Sequence, residues 1–576
     1  MLGFFSKKNR DKTTEEAFEL KFDLPPYRQQ ESKLPDANNL WLQLDSLGGD
    51  AVHLLVELNH FLHELNRTFV GIGKRYSITE QCLEYAAPHI RGIYFEHQKG
   101  KALPENHIKR EAVTAAVKCV KELSYSYKRV IKNDFGLSGK ELKAAKKRLG
   151  QSLFSALEMI HAEQRLKALR YQKLGKLTWR DCNNLYVVVC KADDLRHKYY
   201  KPALYLNSSR GLPTDSAVKS LRATTEEIYL LIQLFGFIDP NSLSLQQSVI
   251  VENYLKQVLP ELQVQPFDAE HLVLQHIVIY RSQERPPALN EENVDSVPAM
   301  CIDIKPLASR LKQDYKRLLP QLSGARNDFE KHHETADAVN TKAVNSLEDI
   351  ERLLALQNML NKLREAQRAD TRKYSQEPQY LYIYSGFTAG FRMLNANRLS
   401  ITDHRRLQNQ LNITLAQRSA TLADGAQEDT LTHWEVINES ASGLLLRTKE
   451  TQYIRNLFVG QLIVYAKSKD TLSNPACGWV VRIARDNHAH VEISLKILAL
   501  QIESVVVQTD FLRKNAMGMP GIMILDAGEE LQLLMHQSHR LLADSQVFIQ
   551  RGGKDYGYTV GELALFQREF VVYRLR

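Results

Sequence analysis

The feature that most constrains this chain is a single change of hydrophobic period near Pro378. Before it, apolar residues recur every three or four positions, as a helix with one buried face requires. Leu54, Leu55, Leu58, Leu62 and Leu65 form such a set, and similar faces run through 112–130, 142–169 and 225–237. Beyond it, Tyr380, Tyr382 and Tyr384 alternate with Leu381 and Ile383, the period-two signature of a half-buried strand. Short strands are predicted at 433–438, 443–448, 460–466, 479–484, 490–495 and 501–508, then at 521–525, 531–535, 546–550 and 570–575. Many short strands separated by turn residues point to barrels or sandwiches. The expected fold class is therefore multidomain α plus β, an all-α N-terminal region followed by an antiparallel β region.

The helix predicted most clearly runs over 347–371, just before the change of period. Asn345 suits its cap, with Glu348 as the capping-box partner. Leu347, Ile350, Leu354, Leu360 and Leu363 give it one apolar side. It carries three arginines at its end, Arg364, Arg368 and Arg372, each four residues after the last.

Composition excludes several classes. The longest apolar candidate, 228–238, is about half the length a bilayer span needs. The N-terminal MLGFFSKKNRDK places its short apolar part before its positive charge, the reverse of a signal peptide, so a cytoplasmic location is expected. Six cysteines (Cys82, Cys119, Cys182, Cys190, Cys301, Cys477) include no CxxC pair, which argues against a disulfide framework or a zinc knuckle. The net charge of +9 is unevenly spread: residues 101–180 hold 19 Lys+Arg and 7 Asp+Glu. That basic stretch leaves nucleic-acid binding as an alternative function, with solvated helix faces as the plainer explanation.

Two motifs carry chemistry. Arg368-Ala-Asp-Thr-Arg372 stands where helix gives way to strand, and Asn438-Glu-Ser440-Ala-Ser-Gly443 stands between two predicted strands. Arginine offers a planar fork of donors that matches a phosphate, or the O6/N7 edge of guanine. Asn438 both donates and accepts, Ser440 adds a hydroxyl, and Gly443 removes a Cβ where the backbone turns tightly or approaches a ligand. Taken alone, residues 438–443 also describe a polar hairpin turn.

In order and flanking strands, this pair of motifs resembles the PilZ family, whose RxxxR and D/NxSxxG motifs bind cyclic di-GMP. The resemblance covers roughly 364–510, and Gly460 and Trp479-Val-Val-Arg482 fit the same barrel. It implies a PilZ-like antiparallel β-barrel and a ligand set of Arg368, Arg372, Asn438, Ser440 and Gly443. Because the gap from Arg372 to Asn438 is longer than in that family, Arg364 with Arg368 remains the alternative arginine pair. The implied protein is a bacterial second-messenger receptor, not an enzyme, with cyclic di-GMP as ligand and no cofactor. Its helical region would meet a protein partner in motility, pilus, biofilm or secretion control. A scaffold whose barrel has lost ligand binding is the other alternative.

The organisation expected on this basis is a flexible arm over 1–36, a helical domain over 37–285, and a linker or long loop over 286–300. A helical region with the connecting helix (301–363) comes next, then the barrel (364–510) with a polar excursion at 390–429, then a β-rich extension (511–576). No metal site is expected: His60, His63 and Glu64 lack the HExxH order. Gly71-Ile-Gly73-Lys74 lacks phosphate-loop spacing, and the chain has no GGDEF or EAL-type motif that would make or break cyclic di-GMP.

Overall fold

The computed structural model describes residues 20–28, 37–47, 49–98, 103, 106–204, 222–266, 276–280, 282–289, 299–324, 336–364, 373–395, 432–449, 454, 457–467, 475–486, 490–509, 518–526, 530–539, 541–551 and 554–576. They form two compact units. The first comprises essentially the chain up to Glu365; the second runs from Ala366 to Arg576 and also takes in two short stretches, Lys101–Pro104 and Asn241–Ser244.

The first unit is helical, as the three-to-four spacing predicts. Its helices are α1 (Ala37–Ser46), α2 (Ala51–Arg67), α3 (Ile72–Gln98), α4 (His107–Phe135), α5 (Gly139–Ala168) and α6 (Lys176–Lys191). They are followed by α7 (Thr225–Ile238), α8 (Leu245–Val258), α9 (Lys305–Gly324) and α10 (Ala336–Lys362). Local signals set several starts. The Asp50 carboxylate accepts from the amides of Val52 and His53, and Thr224 with Glu227 makes a reciprocal capping box on α7. The leucines singled out on α2 are all buried. Two short strands, β1 (Tyr199–Tyr200) and β2 (Ala223–Thr224), pair with each other. A small sheet of order β3-β6-β4-β5 is built from β3 (Val264–Pro266), β4 (His276–Tyr280), β5 (Ala288–Leu289) and β6 (Ala299–Asp303).

Ion pairs use much of the basic stretch 101–180. Lys128 meets Asp181 at 2.6 Å, Arg148 meets Asp134 at 2.7 Å, Lys167 meets Glu163 at 2.6 Å, and Lys146 pairs with Asp194. Arg165 reaches Glu252 at 3.0 Å, where Lys256 and His161 also converge. Burial opposes the charge on Glu252, but these three partners prevail and hold its carboxyl well below the usual range. Burial lowers Lys256 to about 8 despite Glu252 beside it.

Three expectations need correction here. Residues 20–28 of the supposed flexible arm are docked. Leu20 is buried, the Asp23 amide donates to Asp181 at 3.1 Å, Arg28 pairs with Glu64, and Arg129 lies 3.8 Å from the Tyr27 ring centroid. The linker at 286–300 contributes β5 and the start of β6, whose apolar residues Met300 and Cys301 are buried. The helix with the apolar stripe starts at Ala336 rather than after Asn345 and ends at Lys362. Ile350, Leu353, Leu354, Leu356 and Met359 are buried, α10 packs against α8, and Gln247 donates to Glu351 at 2.8 Å.

The second unit holds two closed six-stranded antiparallel barrels. The first has the order β10-β11-β12-β9-β8-β7, from β7 (Lys373–Ser385), β8 (Thr432–Ser440), β9 (Gly443–Lys449), β10 (Leu462–Ala466), β11 (Ala476–Arg485) and β12 (His490–Ala499). Its interior takes alternate residues, among them Leu381, Ile383, Trp434, Leu446, Val480 and Ile493, all buried. The second has the order β13-β14-β15-β18-β17-β16, from β13 (Ile502–Thr509), β14 (Met519–Ile524), β15 (Leu531–His536), β16 (Gln546–Arg551), β17 (Lys554–Phe566) and β18 (Phe570–Leu575). The boundary expected near 510 is thus misplaced: β13 hydrogen-bonds into the second barrel, and the extension closes on itself.

The barrels share a core. Helix α11 (Phe387–Asn395), which overlaps the start of the expected excursion, contributes Phe387, Phe391 and Met393. They pack with Leu462, Val464 and Trp479 of the first barrel and Ile522, Leu534 and Phe570 of the second. Glu569, next to Phe570 of the second barrel, ties α11 to β10 at this junction. Its carboxylate accepts from the Phe387 amide and from the Leu462 amide, both at 2.9 Å. The rest of the excursion, 396–429, lies outside the described residues.

Candidate functional site

Asn438, Ser440 and Gly443 come together at a two-residue hairpin joining β8 to β9. Ser440 pairs directly with Gly443, and the Ser440 hydroxyl donates to the Gly443 carbonyl at 3.3 Å. A register shift between Val436 and Asn438 interrupts the β8–β9 ladder just before the motif. Such a bulge re-aims the side chains that follow it. Asn438 is buried, with a relative exposure of 7%, and pairs with Leu445.

Gly443 is fixed by packing. A Cβ added there would lie 2.8 Å from the Leu495 carbonyl oxygen of β12, closer than real Cβ contacts allow. Glycine is therefore what lets β12 close against β9 at the hairpin.

Arg368 and Arg372 lie outside the described residues. Their neighbours on either side are described. Arg364 is exposed, just past the end of α10, with its amide donating to the Asn361 carbonyl at 3.1 Å. Lys373, which follows Arg372 in sequence, opens β7 opposite Glu439, and Tyr374 pairs with Asn438. The strand that follows the arginines therefore begins beside the hairpin. Four residues, 375–378, then bulge out before Gln379 rejoins the ladder opposite Val436.

The ladder also brings residues that no motif marks. Directly opposed residues on antiparallel strands share a face. One row runs Trp479, Lys496, Gly443, Ser440; the next includes Ser494, Leu445, Asn438 and Tyr374. Tyr374 is 68% exposed, Lys373 and Lys496 are exposed, and the Lys496 ammonium stands 5.3 Å from the Trp479 ring centroid. Lys373, opposite Glu439, belongs to the other face, so the face around the hairpin offers an amide, a hydroxyl, one lysine and an exposed phenol. The nearby Glu492 is occupied by Arg447 at 2.6 Å. Only the register, which sequence spacing does not reveal, assembles this group.

Among the described residues no group of three or more His, Cys, Asp or Glu side chains is placed to hold a metal ion. No helix is long and apolar enough to cross a membrane among them. None of the six cysteines is in a disulfide.

The structure thus gives a helical unit and, in the second unit, a barrel whose β8–β9 hairpin carries the polar motif. Comparison with known families matches residues 41–270 to the family described as cyclic-di-GMP receptor FimW, N-terminal domain. The match indicates a cyclic di-GMP receptor family. It covers less than half of the chain, lies in its helical part, and ends well before Lys373. No curated protein and no solved structure matches the chain.

Proposed function

We propose that the chain is a non-enzymatic cytoplasmic receptor in which the first barrel is PilZ-like and binds cyclic di-GMP. In this reading Arg368 and Arg372 clamp the nucleotide from the segment before β7, and Asn438 and Ser440 meet it from the hairpin. Each guanidinium takes a phosphate or a guanine O6/N7 edge, bonds that are charge-assisted or bidentate. The Asn438 amide and Ser440 hydroxyl read remaining polar edges, and Gly443 keeps the hairpin compact.

The observation that carries the reading is the register at the hairpin: Lys373 faces Glu439 and Tyr374 faces Asn438. The strand that follows the arginines in sequence therefore starts at the motif. The family match supports the same ligand from a part of the chain that shares no residue with the motif. Against the nucleic-acid alternative, Lys128, Arg148, Arg165 and Lys167 already face carboxylates.

The output we propose is a protein–protein signal. The chain runs from α10, seated in the helical unit, through the arginine segment to β7. A ligand that holds this segment biases the helix, provided that it binds the two arrangements with different affinity. Motility, pilus, biofilm or secretion control are the outputs expected of such a receptor.

The test is a substitution series read by competition against labelled cyclic di-GMP. Arg368→Ala and Arg372→Ala should each weaken binding by about 1.5–3 kcal/mol, the range for hydrogen bonds to charged groups, and Arg364→Ala by less. Loss with Arg364→Ala but not with Arg372→Ala would move the pair to Arg364 and Arg368. Unchanged affinity in all three would refute the clamp.

A further inference from the structure

The geometry points to Lys496 as a further ligand residue, supplying a cation to a phosphate of the nucleotide from the far side of the hairpin. This rests on the reading of the hairpin as the nucleotide site. Lys496 is the direct ladder partner of Gly443, which is in turn the partner of Ser440. The three therefore lie in one row on one face, with neighbouring strands about 4.8 Å apart. Gly443 has no side chain, so nothing in that row stands between the lysine stem and Ser440. A four-carbon stem spans about the width of the missing residue and delivers a compact charge with three donors.

The position is fixed in advance. Two glycines let the flanking strands close on β12 at this point. A Cβ on Gly443 would lie 2.8 Å from the Leu495 carbonyl oxygen, and one on Gly478 would lie 2.5 Å from the Lys496 carbonyl oxygen. The backbone of Lys496 is thus gripped from both sides while its side chain stays exposed. Among the described residues no carboxylate pairs with it. Its ammonium rests instead over Trp479, a contact that is weak at an exposed site and leaves the charge available to an anion. An anionic ligand at Asn438 and Ser440 would meet the Lys496 cation from the β12 side.

The experiment is calorimetric titration of cyclic di-GMP into the full-length chain at several sodium chloride concentrations. The proteins are wild type, Lys496→Ala, Lys496→Arg, Asn438→Ala and, as a surface control, Lys554→Ala on the second barrel. Lys496→Ala should bind about tenfold to a hundredfold more weakly, with a shallower dependence on salt, the range for a lost hydrogen bond to a charged group. Lys496→Arg should retain most of the affinity, and Lys554→Ala should match wild type. If wild type binds, Asn438→Ala is impaired, and Lys496→Ala keeps wild-type affinity and salt slope, the assignment of Lys496 is overturned while the site stands. If wild type fails to bind, or Asn438→Ala binds as wild type does, the site itself is overturned.

Discussion

Glu569→Gln should flatten the pH dependence of stability in the two-barrel unit. The carboxylate is half-buried at the junction, where it accepts from the amides of Phe387 and Leu462. Burial raises its pKa to about 7 from the ordinary 4.5, although those two amides and Arg568 pull it down. The native state therefore binds this proton more tightly than the unfolded state does. Such a group stabilises most below the unfolded pKa, and the contribution is lost as pH rises through the folded one. Between pH 5 and pH 8 the loss is on the order of 2–3 kcal/mol, at roughly 1.4 kcal/mol per unit. Glutamine cannot ionise, and its NH2 would face one of the two amides. It adds no slope, because it stays neutral at every pH as the protonated carboxyl does. The wild-type advantage should thus shrink from pH 5 to pH 8. The assay is urea unfolding at four pH values, followed by hydrogen exchange of peptides covering 457–466 and 519–524, so that this unit is read by itself. His536 lies nearby, its ring 5.6 Å from that of Phe387, so His536→Gln belongs in both backgrounds. A stability difference that stays constant across pH 5–8 would refute the reasoning.

Two further outcomes are expected. Gly443→Ala should destabilise the first barrel by about 1–3 kcal/mol, the usual cost of overpacking, because its Cβ meets the Leu495 carbonyl oxygen; a barrel of unchanged stability in thermal unfolding would show that β9 and β12 separate freely. Cyclic di-GMP should slow amide exchange at 364–376 and 436–446 and also alter it in α10 or its packing partner α8. Protection limited to the hairpin and the arginine segment would contradict the relay and make the barrel its own output surface.

Much of the architecture is legible in the sequence because it rests on local period. Leu54 through Leu65 on α2, and Leu381 and Ile383 on β7, occupy the faces their spacing demands. Where the reading went astray, a local signal competed with a longer-range one. Asn345 and Glu348 form a capping signature, yet α10 begins at Ala336, so the signature lies within a continuing helix. The step from one barrel to the next falls at Leu500 and Gln501, with neither glycine nor proline to mark it, so β13 read as a strand of the first barrel. The segment 20–28 lacks periodicity because single contacts to Asp181, Glu64 and Arg129 hold it, rather than an apolar face. At the candidate site the motif residues are visible from their spacing, but Tyr374 and Lys496 are not. Their proximity depends on cross-strand register, between residues far apart in sequence.

The account's central claim is that this chain binds cyclic di-GMP, and the most direct measurement is isothermal titration of that nucleotide into the intact, folded protein. The account predicts a saturable isotherm, with GMP and cyclic AMP binding far more weakly because neither presents two phosphates and two guanines together. A flat titration with cyclic di-GMP, or an isotherm that GMP reproduces at the same affinity, would contradict it.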